Sequence, residues 1–424
     1  MVTVVNRSHA ITVLVTILTT FSAGSVARPD PAAKTLTMLN PYDGVDWKSV
    51  IKVPSATHLH MKEQSALDHG YRSGLRHFPI SNYYPSAPYS ATTRLSDFKL
   101  HQTWPVKRNG VTIEPPINWN KLITWRDELK EPFRSSLPFT ETELVFPHIP
   151  DDVILSNNAE HHGFTNGNPR CHICAPGSSF SSGTFDVKGR NYRLPEHGIP
   201  IGFGGTWQQA FTEMLKLLDY PDGGGIIIAH PAWLSGLSDQ QIFEMLDFDQ
   251  RVLGIEIYNH GEQIRDWTKK PADELPPEPE PGFALKLWDR ILSTGRRCWG
   301  FCVPDHGVEK GGDWQGRSVL LVSRFSERHC LRAYRNGNFY GCLKDNGLTV
   351  TDFQATKTEV KLQTNQTAKI TFITNKGIAK SVTGTSATYA IPTNDGKPDV
   401  VYVRVEISDE SGERLFLQPV MYHH

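Results

Sequence analysis

Between about residues 51 and 342 the chain keeps returning to one pattern: a short apolar run, a polar residue or histidine at its end, then an amphipathic stretch. Such alternation predicts strands and helices taken in turn, a βα fold. The clearest unit begins at Thr206, where Thr206 and Gln209 have the spacing of a capping box and Phe211, Met214, Leu215 and Leu218 share one helical face. Gly223, Gly224 and Gly225 break that helix, and Ile226, Ile227, Ile228 and Ala229 follow as an unbroken apolar run ending at His230. A run with no polar alternation suits a parallel strand buried on both faces.

The unit repeats. Ser238 and Gln241 make a second capping box, with Leu237 and Ile242 placed as its hydrophobic staple. A strand over 252–257, a helix over 283–292 and a strand over 298–303 running into Asp305 and His306 come next. Polar residues are thus expected at the C-terminal ends of several parallel strands, the edge where ligand sites of such folds form.

The flanks read differently. Residues 10–18 form an apolar run after Arg7 and His9, with Ser25 and Ala27 ahead of Arg28, the order of a secretory signal over 1–27. The run is about half the ~20 residues needed to span a bilayer, so a secreted, periplasmic or otherwise extracytoplasmic protein with no membrane span in the mature chain is expected. Residues 28–347 form the main expected domain. Within it, about 90–150 lose the alternation and read as an insertion over the mouth of the fold. From 348 to 424 the pattern is β, ending in a hairpin across 409–412, which predicts a small C-terminal β domain.

Composition excludes some partners. Lys plus Arg (44) nearly balance Asp plus Glu (45), so no broad positive field for nucleic acid or anionic membrane is expected. Among the six cysteines, Cys171 with Cys174 and Cys298 with Cys302 are spaced closely enough for pairing, although Cys298 and Cys302 sit in an apolar run typical of buried strand. There is no Gly-x-Ser-x-Gly elbow and no Walker loop.

The chemistry-bearing residues are histidines and carboxylates. His58 and His60 are two apart, so in extended backbone both rings point to one side. Glu160, His172, His230 and Asp305 add donors at further expected strand ends. Neutral imidazole and carboxylate make a ligand set for Zn, Mn or Fe, and a carboxylate can bridge two ions.

In order along the chain, ATHLHM, NNAEHHG, CHICAPGS, IIIAHPAW, GIEIYNH and WGFCVPDHG resemble the motifs of the polymerase and histidinol phosphatase (PHP) superfamily of metal-dependent phosphoesterases, over roughly residues 55–342. The resemblance implies a distorted (β/α)7 TIM-like barrel with two or three divalent ions. It also implies His58, His60, Glu160, His172, His230 and Asp305 as ligands, with Glu160 bridging. The family usually has Asp-x-His at the last motif, whereas here Asp305 is followed directly by His306, which becomes a further ligand candidate. Ser81 and Asn82 stand where the family has a histidine, favouring two ions over three; Asp68 or His69 is a possible substitute at another departure.

The expected activity is hydrolysis of a phosphorylated small molecule by water acidified between cations, with Glu256 behind the ligands and Arg72 and Arg76 as phosphate contacts. Two rival readings keep the same residues: an amidohydrolase-type enzyme, and a degenerate barrel serving as a non-catalytic binding module.

Overall fold

The computed structural model describes residues 38–61, 64–81, 106–108, 111–113, 146–161, 172–180, 193–194, 199–200, 206–232, 237–265, 278–309 and 311–422. The signal-like segment 1–27, Asn82, Cys171 and nearly all of the expected insertion lie outside them.

Two sheets organise these residues. One has eleven strands, with a main path in the order Val350–Ala355, Glu359–Thr374, Tyr402–Ser408, Arg414–Leu417, Phe339–Cys342, Arg317–Val322, Ile51–Ser55, His77–Pro79 and Ile154–Ser156. The other has five, in the order Trp299–Val303, Val252–Asn259, Ile226–Ala229, His172–Cys174 and Glu160–His161.

The expected (β/α)7 barrel is not what forms: the described strands make open, mixed sheets and no closed barrel. Short parallel runs are present. Ile226–Ala229, Val252–Asn259 and Trp299–Val303 are mutually parallel, as are Ile51–Ser55, His77–Pro79 and Ile154–Ser156. Antiparallel pairing interrupts them. Ile51–Ser55 lies antiparallel to Arg317–Val322, whose other edge pairs antiparallel with Phe339–Cys342, and that strand pairs antiparallel with Arg414–Leu417. In the second sheet Ile226–Ala229 pairs antiparallel with His172–Cys174. Late-chain strands thus occupy one edge of Ile51–Ser55, while Ile154–Ser156, Trp299–Val303 and Glu160–His161 end their sheets.

Local signals hold at several places. Thr206 and Ser238 each cap a helix, Trp207–Lys216 and Asp239–Asp247, by the reciprocal capping-box bonds with Gln209 and Gln241. Between helix and strand, Gly224 has φ +63°, and a Cβ there would lie 2.1 Å from the Pro176 carbonyl oxygen, so only glycine fits this turn. The apolar strand that follows is buried on both faces. Ile226 and Ile228 pack with the helices Trp207–Lys216, Asp239–Asp247 and Leu285–Ser293, while Ile227 and Ala229 pack with Val53, Leu320 and Phe301 of the opposite layer. Each fully buried isoleucine adds about 1.5–3 kcal/mol of transfer free energy, which makes these strands the stiff support of whatever their ends carry.

The late strands brace the same scaffold. Glu406, Ile407 and Ser408 pair with Phe416, Leu415 and Arg414, the expected terminal hairpin. The Gln418 amide clamps the Gly300 backbone, accepting from its N–H at 2.7 Å and donating to its carbonyl at 2.8 Å. Gly300 lies in Trp299–Val303, the strand that runs into Asp305. Cys298 and Cys302 are buried free thiols on either side of it.

Candidate metal centre

After Ile51–Ser55 the chain bends at Thr57 and His58, Leu59 bridges to Asp305, and the His58 and His60 rings meet at 3.1 Å, all three residues fully buried. Ser81 fixes this segment: the Leu59 N–H donates to Ser81 Oγ at 2.8 Å, and the Ser81 N–H donates to the Leu59 carbonyl at 2.8 Å. On the opposite side the Asp305 N–H donates to the His58 carbonyl at 3.0 Å, placing the Asp305 strand end against the His-x-His segment. Asn158 ties in the Glu160 loop. Its amide donates to the Thr57 and Pro79 carbonyls, and its Oδ1 accepts from the Ala159 and Ala175 N–H groups.

These constraints bring Glu160 and Asp305 each against the His58 and His60 rings. His58 Nε2 lies 3.1 Å from His60 Nε2, 3.1 Å from Glu160 Oε2 and 3.3 Å from Asp305 Oδ1. His60 Nε2 lies 3.2 Å from both of those oxygens. Glu160 Oε2 and Asp305 Oδ1 thus each close a triangle with the two imidazole nitrogens, all edges 3.1–3.3 Å. Three donor atoms at such spacing can share one ion at ordinary Zn–N and Zn–O bond lengths. Glu160 Oε2 and Asp305 Oδ1 are buried without a well-directed hydrogen bond, although each has two imidazole nitrogens beside it. Lone pairs converging on a common centre suit a cation better than a set of separate hydrogen bonds.

The other Glu160 oxygen faces a second group. Oε1 lies 2.5 Å from His172 Nδ1 and 3.3 Å from His230 Nε2. One buried carboxylate therefore looks both ways, and both trios, His58–His60–Glu160 and Glu160–His172–His230, have ligand atoms close enough to hold a metal ion. His306 stands at the rim, its ring stacked on His60 at 4.0 Å between centroids and its Nε2 3.8 Å from Asp305 Oδ1, while its Nδ1 meets Glu309.

Backbone strain marks the same places. His230 (φ 29°) and Asp305 (φ 53°) are two of the four non-glycine residues with positive φ among those described. Such conformations persist where surrounding contacts over-determine them.

Charge matches geometry. Burial alone would depress the histidines and raise the carboxylates, yet mutual attraction wins. Asp305, Glu160 and Glu256 hold the His58 imidazole well above its usual range, and Glu160, Glu262 and Glu256 push His230 up to about 9. Glu160 and Asp305 are held well below the ordinary carboxylate range, Glu160 by His58, His172 and His230, and Asp305 by His58, His306 and His60. The cluster is built to gather positive charge, as protons or as metal.

Other residues singled out in the sequence lie elsewhere. Arg76 Nε pairs with Asp152 at 3.0 Å, its Nη1 donates to the Tyr71 and Leu75 carbonyls, and the guanidinium covers the Tyr71 ring. Arg72 is exposed in the last turn of the helix Gln64–Arg72. Asp68 meets Gln64 and His69 meets the Gly312 carbonyl, neither of them in the donor groups above. Ser81 and Asn158, by contrast, shape the cluster without supplying ligands. Their signal was faint, since a buried Ser or Asn is identified by partners far along the chain.

No family model and no curated protein matches this chain. Among solved structures it is similar to a two-domain protein containing a predicted PHP-like metal-dependent phosphoesterase from Bacteroides vulgatus ATCC 8482. The TM-score is 0.36 and the identity 11%, over 89% of this chain and 94% of that one.

Proposed function

We propose that the protein is a secreted metal-dependent hydrolase that cleaves a phosphate ester of a small molecule. The observation that carries the metal part is the pair of triangles, with edges of 3.1–3.3 Å, that Glu160 and Asp305 each make with His58 and His60. The ordered motifs from His58 to Asp305 support the phosphoester part, and the signal-like segment 1–27 supports export.

His58, His60 and Glu160 would hold one divalent cation, and Glu160, His172 and His230 a second, drawn from Zn, Mn or Fe, with Asp305 a further donor beside His58 and His60. When bound, such a pair supplies Lewis acidity and makes water acidic enough to serve as a nucleophile near neutral pH. The chain's own residues do the rest. Burial of His58, His60, Glu160 and His230 keeps bulk water out, which strengthens every electrostatic contact inside. The partly exposed rings of His172 (21%) and His306 (30%) mark the side from which substrate reaches the cluster. Among the described residues no helix is long and apolar enough to cross a membrane.

Elemental analysis of the purified full chain, followed by phosphomonoester, phosphodiester and amide panels with and without chelator, tests the reading. Bound metal with chelator-sensitive phosphatase activity is expected. Amide cleavage would replace the phosphoester assignment, and a metal-free protein with no turnover would remove the enzyme assignment altogether.

A further inference from the structure

We infer that Glu256 is a positioning residue that couples the two halves of the cluster, holding His58 by its ring and His230 by its backbone through opposite oxygens of one carboxylate. The inference rests on reading the cluster as a metal centre and goes further, by naming what sets its geometry.

Glu256 sits in Val252–Asn259, a strand buried along its whole length, where its neighbours Ile255 and Ile257 are fully buried. Burying a carboxylate there costs several kcal/mol unless donors compensate it, so an apolar residue would serve folding better. Three donors do compensate it. Oε1 meets His58 Nδ1 at 2.7 Å; Oε2 accepts from the His230 backbone N–H at 2.8 Å and from Asn259 Nδ2 at 2.9 Å.

The first contact keeps a proton on Nδ1, which leaves the Nε2 lone pair of His58 free to face His60, Glu160 and Asp305. The second grips the amide of a residue whose φ is 29°, a backbone most side chains avoid, and so aims the His230 ring at Oε1 of Glu160. Asn259 is itself pinned, because its Oδ1 accepts the Glu262 N–H at the start of the short helix His260–Gln263. It cannot rotate to accommodate a changed partner without losing that cap.

Both Glu256 oxygens must therefore be acceptors, and this makes Glu256→Gln informative. Glutamine has one acceptor oxygen. With that oxygen on the two donors, His230 N–H and Asn259 Nδ2, its amide NH2 faces His58 Nδ1 and drives the ring proton to Nε2, the ligating nitrogen.

The test uses the full chain, stripped of metal and titrated with Zn2+ by calorimetry and with Co2+ by visible absorption, with nitrogen-15 NMR of the histidine rings and amide hydrogen exchange at His230. Wild type is expected to take two ions. Glu256→Gln should weaken one of them by about 10–100-fold and leave the other near wild type, with the His58 Nδ1–H signal lost. Glu256→Ala should weaken both and speed exchange at His230. If Glu256→Ala does not fold, as judged by thermal melting, the isosteric Glu256→Gln decides. Wild-type affinities for both ions in folded variants would overturn the inference, leaving Glu256 a structural residue only. If wild type binds neither ion, the metal reading fails on its own. The inference is then decided in metal-free protein, where joint loss of the His58 Nδ1–H signal and His230 protection in Glu256→Ala supports it and their retention overturns it.

Discussion

Replacing Glu160 with Gln asks whether one carboxylate serves two ions. Its Oε2 stands 3.1 and 3.2 Å from His58 and His60, and its Oε1 2.5 and 3.3 Å from His172 and His230, so the loss of its charge is felt by both halves. At a free metal concentration of ~100 times Kd, each bound ion stabilises the fold by about 2.7 kcal/mol, or about 5.4 kcal/mol for two. The unit Leu36–His424 has about 390 residues, giving an unfolding entropy of about 0.8 kcal/mol/K. Wild type should therefore melt about 7 °C higher with metal than with chelator. Glu160→Gln should lose nearly all of that increment, whereas His172→Ala, which touches one half only, should lose about 3 °C of it. Differential scanning calorimetry with and without chelator measures both. A full metal-dependent increment surviving in Glu160→Gln would refute the shared-carboxylate argument.

Three further outcomes follow from the geometry. His77 is fully buried between Ser55 and Ser156 and burial pushes its pKa down to about 3, so between pH 6.5 and 3 only the unfolded chain takes up its proton. Stability should fall with pH across that window by about 1.4 kcal/mol per unit from this residue, and urea titrations of His77→Gln should show a slope shallower by that amount. A Cβ on Gly261 would lie 2.7 Å from Asp305 Oδ2 and 2.9 Å from its Cγ, so Gly261→Ala must displace that buried side chain and should weaken metal binding measured by calorimetry by at least ~10-fold, with the metal-free melting temperature unchanged or lower. Arg76→Ala should cost at most about 1 kcal/mol in denaturant melts, its partner Asp152 being 55% exposed, and should leave kcat/KM for the best phosphoester unchanged.

What the sequence made legible was local. The run Ile226–Ala229 and the boxes at Thr206 and Ser238 are decided by a few adjacent residues, and they form as a strand and two caps, although the strand, read as parallel, is antiparallel to His172–Cys174 on one edge. The His58 and His60 rings meet, as their spacing of two suggested. The barrel failed for a reason equally physical. Apolar runs report burial on two faces but not the direction of the neighbouring strand, and the pairing of Ile51 with Val322 joins residues far apart in the chain. The roles of Ser81 and Asn158 were hidden likewise, because each acts through bonds to segments remote in sequence.

The Gln418 clamp on Gly300 has a consequence for biosynthesis. When Asp305 has been added, more than a hundred residues are still to be translated, among them the strand Arg414–Leu417 and the glutamine that steadies the backbone leading to that aspartate. During translation the His58 and His60 arm is complete long before its opposing carboxylate is braced. The order of synthesis therefore completes the donor cluster late, once the strand Arg414–Leu417 and Gln418 have docked.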